Sequence, residues 1–320
     1  MILLLVLLSF AAQASELNDY LFGSRESESR HRVGARTEGI LVIQNGRVLY
    51  EKYGRGYDQN KLHITWSISK TMTGLLYGVA LKEKRVRLDQ SICDFGSFLN
   101  AHFCKIKIKD VLTWSTGIKW NEEYEGAVKP TESSILAMLY GEGHRDMAEF
   151  VKSQPLEPNV APGEVWRYSS GDSVLAASLL KGVFKGQDLR KVYKEKIFDP
   201  LEIKDWLWEG DSAGTLAGAY YFYTSLKGLS HIGELFLGKG TFRGQKIFNE
   251  DFWEFMTTVP ESFKKNRAGY NSHEISGAHF WLNKGHEAGL RKAWPDAPID
   301  TVAALGHWGQ YLAVIPSENV

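Results

Sequence analysis

The 320-residue sequence has no excess of charge of either sign. Its 38 Lys and Arg stand against 38 Asp and Glu, with an isoelectric point near 7.1. That balance leaves no dominant basic face and no acidic tail, which argues against nucleic acid as a partner. Cysteine is scarce too. Cys93 and Cys104 are the only two, bracketing DFGSFLNAHF, and one sequence leaves open whether they pair in an oxidising compartment or remain two thiols. The apolar run at the N-terminus, Ile2 to Phe10, counts about ten residues, too few for a stable membrane span. The nine histidines show no H-E-x-x-H spacing, so no zinc site is implied. The nearest string to G-x-S-x-G is GDSVL at Gly171, which lacks the second glycine that an α/β-hydrolase turn needs.

What is present points to an ordered enzyme-sized chain. With 43% hydrophobic and 12% aromatic residues it can bury a sizeable core, as one large or two ordinary domains. The ten tryptophans, Trp114 and Trp120 among them, are by default core or cleft walls. MILLLVLLSFAAQASELN reads as a signal peptide over residues 1–14: an apolar stretch, then Ala12-Gln13-Ala14 as an A-x-A cleavage pattern before Ser15. No Lys or Arg precedes the apolar run, so the α-amine alone supplies the positive end. The expected location is periplasmic or extracellular, with no cysteine after the cleavage pattern to carry a lipid.

After a polar stretch from Ser24 to Arg36, GILVIQNGRVLYEKY gives two β-rich runs around Asn45-Gly46, a strong hairpin signal. From Thr71 to Glu83 the period changes. Met72, Leu75, Leu76 and Val79 fall on one helical face, with cations at the far end, so WSISK, Trp66 to Lys70, stands at a helix start. A serine there is often only a cap and a lysine only solvated. Chemistry gives the pair a second meaning. Side chains at i and i+3 are neighbours and lean toward the N-terminus, so the Lys70 amine can reach the Ser67 hydroxyl and take its proton. The helix start adds positive potential for an oxyanion. S-x-x-K recurs at Ser178 to Lys181, but that serine lies inside the helical run SVLAASLLKGVF, where no turn exposes it.

A nucleophile and a base call for a proton relay and an oxyanion donor. APGEVWRYSSGDS supplies Tyr168, Ser169 and Ser170 between a Pro162-Gly163 turn and a helical run, and a tyrosine stabilised by a nearby lysine can serve as a general base. GHWGQYLAVI places Gly306 and Gly309 where backbone can approach a ligand before a β-type run. Two look-alikes are weaker: Ser225 of YTS suits a helix N-cap, and HIG at His231 to Gly233 falls inside a helical run.

SISK, YSS and HWG, in that order, resemble the three active-site elements of the β-lactamase and penicillin-binding-protein superfamily. The likeness runs from about Gly39 to the C-terminus. IKIKDVLTWSTGIKWNEEYE is similar to the helix and loop after the nucleophile in class C-type members, and the flavour is that of the esterase and amidase branch, which includes 6-aminohexanoate-dimer hydrolases. The resemblance implies an α+β fold of the β-lactamase/transpeptidase type: an antiparallel sheet flanked by helices, with an inserted, mainly helical region. Residues 15–320 would form one catalytic unit, with the sheet layer from about 36–66 and 275–320 and the helical region about 67–270.

Carried onto this chain, the resemblance makes Ser67 the acylated nucleophile and Lys70 and Tyr168 the groups that take and return its proton. The backbone N–H groups of Ser67 and Gln310 would form the oxyanion hole. Ser170 matches a position more often Asn, expected to touch substrate or Lys70, and Tyr124, Trp308 and Gly309 are expected near the substrate. His307 stands where K-T-G has its lysine. A histidine is mostly neutral near pH 7, so a substrate carboxylate would be held less firmly and uncharged esters or amides are expected to be preferred. No cofactor or metal is implied. Members usually continue past the stretch matching LAVIPSENV with a strand and a helix, whereas this sequence stops at Val320: either the family ending is trimmed, or the product is shortened, with an exposed sheet edge and less helix cover. The rival expectations are a D,D-peptidase or β-lactamase, and a catalytically silent module that binds cell-wall peptide or a partner.

Overall fold

The computed structural model describes residues 21–22, 37–124, 129–268 and 274–320; the expected leader and the polar stretch to Arg36 lie outside them. The chain divides into two compact units at Lys61. In the first, β1 (Gly39–Gln44) and β2 (Arg47–Tyr53) form the expected hairpin, with Gln44 opposite Arg47 and a bulge at Val42/Ile43. Asn45 and Gly46 turn the chain at φ +52° and +72°, the left-handed pair that a two-residue hairpin loop requires.

The second unit runs from Leu62 to Val320. Its elements in order are β3 (His63–Ile64), α1 (Ile68–Lys82), α2 (Ile108–Leu112), α3 (Ser134–Tyr140), α4 (Met147–Ser153), α5 (Ser170–Val183) and α6 (Leu189–Tyr193). There follow β4 (Trp206–Trp208), β5 (Phe222–Thr224), α7 (Leu226–Leu237), β6 (Thr241–Phe242), β7 (Gln245–Lys246), α8 (Glu250–Met256) and α9 (Glu261–Lys265). The chain closes with β8 (Ile275–Ser276), β9 (Trp281–Leu282), β10 (Val302–Gly306) and β11 (Gln310–Val314). Helices and antiparallel sheets together make the α+β class expected.

The strand pairings differ in detail from the expected single sheet layer. The C-terminal strands form their own antiparallel sheet in the order β11-β10-β9-β8, and β1 pairs with β2 in a separate ladder. β3 belongs instead to a three-stranded sheet, β3-β5-β4, because Thr65 donates both its backbone N–H (2.9 Å) and its hydroxyl (2.8 Å) to the Phe222 carbonyl. The stretch 67–270 is mainly helical yet also carries β4 to β7.

α1 begins three residues earlier than its periodicity suggests and is buried on every side from Ile68 to Ala80, not on one face. A helix wrapped by protein must satisfy its polar side chains internally. Thr71 donates to His279 O (2.6 Å) and Thr73 to Gly218 O (2.7 Å), while Tyr77 reaches Ala176 O on α5 (2.8 Å). α1 therefore lies between α5 and the β10–β11 edge as a rigid central post. Cys93 and Cys104 are joined by a disulfide with their Cα atoms 5.1 Å apart. Closing a loop of this order removes unfolded-state freedom that stabilises by about 3 kcal/mol. Among the described residues no helix is long and apolar enough to cross a membrane.

Candidate active site

Ser67 caps α1 with helical dihedrals, φ −68° and ψ −7°, and its hydroxyl makes no capping bond. It is left for Lys70, whose Nζ lies 2.8 Å from the Ser67 Oγ. The same ammonium donates to the Ala219 carbonyl at 3.3 Å and lies 4.8 Å from the centre of the Tyr168 ring. Burial disfavours the charged amine and brings its pKa down to about 8, against the opposing pull of the Glu122 carboxylate. The lysine is thus close to losing its proton near neutrality, as a base for serine must be.

Tyr168 ends the segment that enters α5, where Ser169 accepts from the Asp172 N–H (2.9 Å) and fixes the helix start. Its ring is held between Trp114 and Trp281, with centroids 4.8 and 5.5 Å away. Burial and then the charge of Glu122 push its phenol well above the ordinary value, while contact with the Ser67 side chain pulls the other way. That direction favours the neutral phenol over the phenolate. Lys70, its pKa lowered, and Tyr168, its pKa raised, both reach the Ser67 hydroxyl.

Ser170 is fully buried. Its hydroxyl bonds to Glu122 Oε1 and its N–H donates to Oε2 at 2.9 Å, with the Trp120 indole N–H on the same oxygen. Burial raises the Glu122 pKa, and Lys70 and these donors lower it. Sequence reasoning missed Glu122 because WNEEYE offers several adjacent acids and nothing in the string separates the buried one. Gly171 makes room for the arrangement, since a Cβ there would stand 2.6 Å from the Trp120 ring.

Behind the tyrosine, the Trp114 indole donates to Ser173 Oγ (3.0 Å), which is 3.1 Å from His279 Nε2. Burial, and then the Lys70 charge, lower the His279 pKa to about 3, so the ring is neutral and adds no second cation. Asp172 accepts from Thr116 (2.9 Å), and burial raises its pKa to about 8.

The opposite wall comes from the turn between β10 and β11. Gly306 is opposite Gln310 in the ladder, and a Cβ on Gly306 would meet the Thr65 carbonyl at 2.2 Å, so only glycine lets this strand end come against the segment before the nucleophile. The turn carries His307, Trp308 and Gly309 to the rim. The His307 ring lies 4.9 Å from Tyr124, 5.9 Å from Trp66 and 4.7 Å from Trp308. Gln310 opens β11 directly after them. The look-alikes fall where expected: Ser178 is inside α5 and bonds to Leu175 O, Ser225 caps α7 through Gly228 N–H, and His231 lies within α7.

The chain is similar in fold to several solved structures of low sequence identity. A protein of Bacillus anthracis described as a 6-aminohexanoate-dimer hydrolase superposes with a TM-score of 0.68 at 17% identity, covering 88% of this chain and 71% of the other. One of Bacteroides dorei described as a β-lactamase gives 0.69 at 15%, covering 88% and 82%. The octameric penicillin-binding protein homologue from Pyrococcus abyssi gives 0.60 at 18%, covering 88% and 67%. A comparison with curated proteins finds no sequence match. The Beta-lactamase family profile matches residues 24–320, nearly the whole chain, and the protein belongs to that family.

Proposed function

We propose that the protein is an exported serine hydrolase that cleaves esters or amides of small or peptide-like substrates through an acyl-enzyme on Ser67. The 2.8 Å contact between Ser67 and a buried, easily deprotonated Lys70 carries this reading. Ser67 Oγ would attack the substrate carbonyl as Lys70 takes its proton, with the oxyanion held by the N–H groups of Ser67 and Gln310. Tyr168 would pass the proton to the departing alcohol or amine, and water would then release the acid and restore the serine. Export is supported by the leader-like N-terminus and by the Cys93–Cys104 disulfide, a bond at home in oxidising compartments.

Preference for uncharged substrates rests on His307, which supplies no fixed cation where K-T-G supplies one. Steady-state rates on nitrocefin and on a short-chain p-nitrophenyl ester test it. The ester should be turned over faster, and faster nitrocefin hydrolysis would establish the β-lactamase alternative instead.

A further inference from the structure

Among the described residues, the aromatic side chains on left-handed backbone are Trp66 (φ +48°), Trp114 (+53°), Tyr221 (+62°), His279 (+54°) and Trp308 (+59°). Trp66 packs against Tyr221 and Trp308, and Trp114 packs against both Tyr168 and His279. A bulky residue in this region is strained, and such strain persists where the surrounding structure enforces it, often at a ligand site. Three of them, Trp66, Tyr221 and Trp308, stand close in sequence to residues of the site. Trp66 precedes the nucleophile, Trp308 stands two residues before Gln310, and Tyr221 is two residues beyond Ala219, whose carbonyl holds Lys70.

Their rings form one connected cluster. Trp66 is 6.0 Å from Tyr221 and 6.1 Å from Trp308, and His307 and Tyr124 complete the ring series. Several pairs cross near right angles: Trp66 with His307 at 90°, Tyr124 with His307 at 89° and Trp66 with Trp308 at 81°. Such an arrangement presents both faces and edges to whatever enters. Trp308 is 74% exposed and Tyr124 43% exposed, so large apolar area faces solvent beside the nucleophile. A cationic guest would meet the Lys70 ammonium in the same cleft. A neutral planar ring meets no such opposition and gains offset or edge-to-face stacking.

We infer that Trp66, Tyr124, Tyr221, His307 and Trp308 form a stacking subsite that selects substrates carrying an aryl group near the scissile ester or amide. The inference rests on the serine-hydrolase reading above and names its substrate class. Two pairs of esters of similar size compare an aryl with a saturated ring, each enzymatic ratio being divided by the ratio for hydroxide hydrolysis: benzyl against cyclohexylmethyl acetate, and ethyl phenylacetate against ethyl cyclohexylacetate. In at least one pair kcat/KM should favour the aryl member by about three- to tenfold, the range expected of a stacking contact. Trp308→Leu and Tyr124→Leu, both at exposed positions, should each bring that ratio toward one. Turnover of the esters with ratios near one, or a ratio that both variants leave unchanged, would overturn the stacking subsite alone. Failure of the wild-type protein to hydrolyse any of the four would overturn the hydrolase reading and the subsite with it.

Discussion

Lys70 Nζ lies 2.8 Å from Ser67 Oγ inside the first turn of a helix buried on all sides. The backbone spacing of three residues makes the contact, and the burial of α1 makes it useful, because an amine in water would remain a cation. The pair therefore depends on the packing of Thr71, Thr73 and Tyr77 as much as on its own two residues.

The pH profile follows from the burial of Lys70. Only the neutral amine can accept the serine proton, so kcat/KM for a neutral ester should fall about tenfold per pH unit below a limb near pH 8. Glu122 holds that limb up, since its negative charge favours the ammonium. Glu122→Gln should move the limb to lower pH, by several tenths to about one unit. A limb that stays in place or moves upward would show that the carboxylate does not act on Lys70.

Asp172 predicts a change of stability with pH. Its folded pKa, about 8, is above the ordinary carboxyl value, so its contribution is fully present below about pH 4 and is lost as pH rises through 8. Asp172→Asn keeps the shape without the ionisation. Urea unfolding should show the variant gaining on the wild type by a few kcal/mol between pH 5 and pH 8. A constant difference across that range would mean that Asp172 does not retain its proton in the folded state.

Gly171 is placed for close approach, not for turning. Gly171→Ala would drive a methyl against Trp120, whose indole holds Glu122, and overpacking of this kind costs about 1–3 kcal/mol. Thermal unfolding should report the loss together with a drop in esterase rate. Unchanged melting would show that the Trp120 ring moves aside freely.

His307→Lys tests the origin of substrate preference. A fixed cation at the turn should raise the ratio of nitrocefin to neutral-ester turnover by about tenfold, within the range for a charge-assisted contact. No change in the ratio would place carboxylate recognition elsewhere in the cleft.

The parts of this site legible in sequence were those set by local spacing. Ser67 and Lys70 are neighbours because helices place i beside i+3, and Asn45-Gly46 turns the hairpin because of its backbone preference. Ser178, Ser225 and His231 could be set aside for the same local reasons. What sequence did not reveal came from contacts distant along the chain. Ser170 bonds to Glu122 across 48 residues, and β3 is claimed by β5 through Thr65 and Phe222 across 157. Neither partner announces itself in its own stretch. The upward push on the Tyr168 phenol was hidden likewise, because it follows from burial and from Glu122 rather than from the YSS string.

The central claim is that Ser67 is an activated nucleophile. Intact-mass measurement of the purified protein after fluorophosphonate treatment, with Ser67→Ala alongside, tests it most directly. The account predicts a single adduct on the wild type and none on the variant. A folded wild-type protein that takes up no label would contradict it and favour a binding module over an enzyme, and a label that persists in Ser67→Ala would contradict it by placing the reactive nucleophile elsewhere.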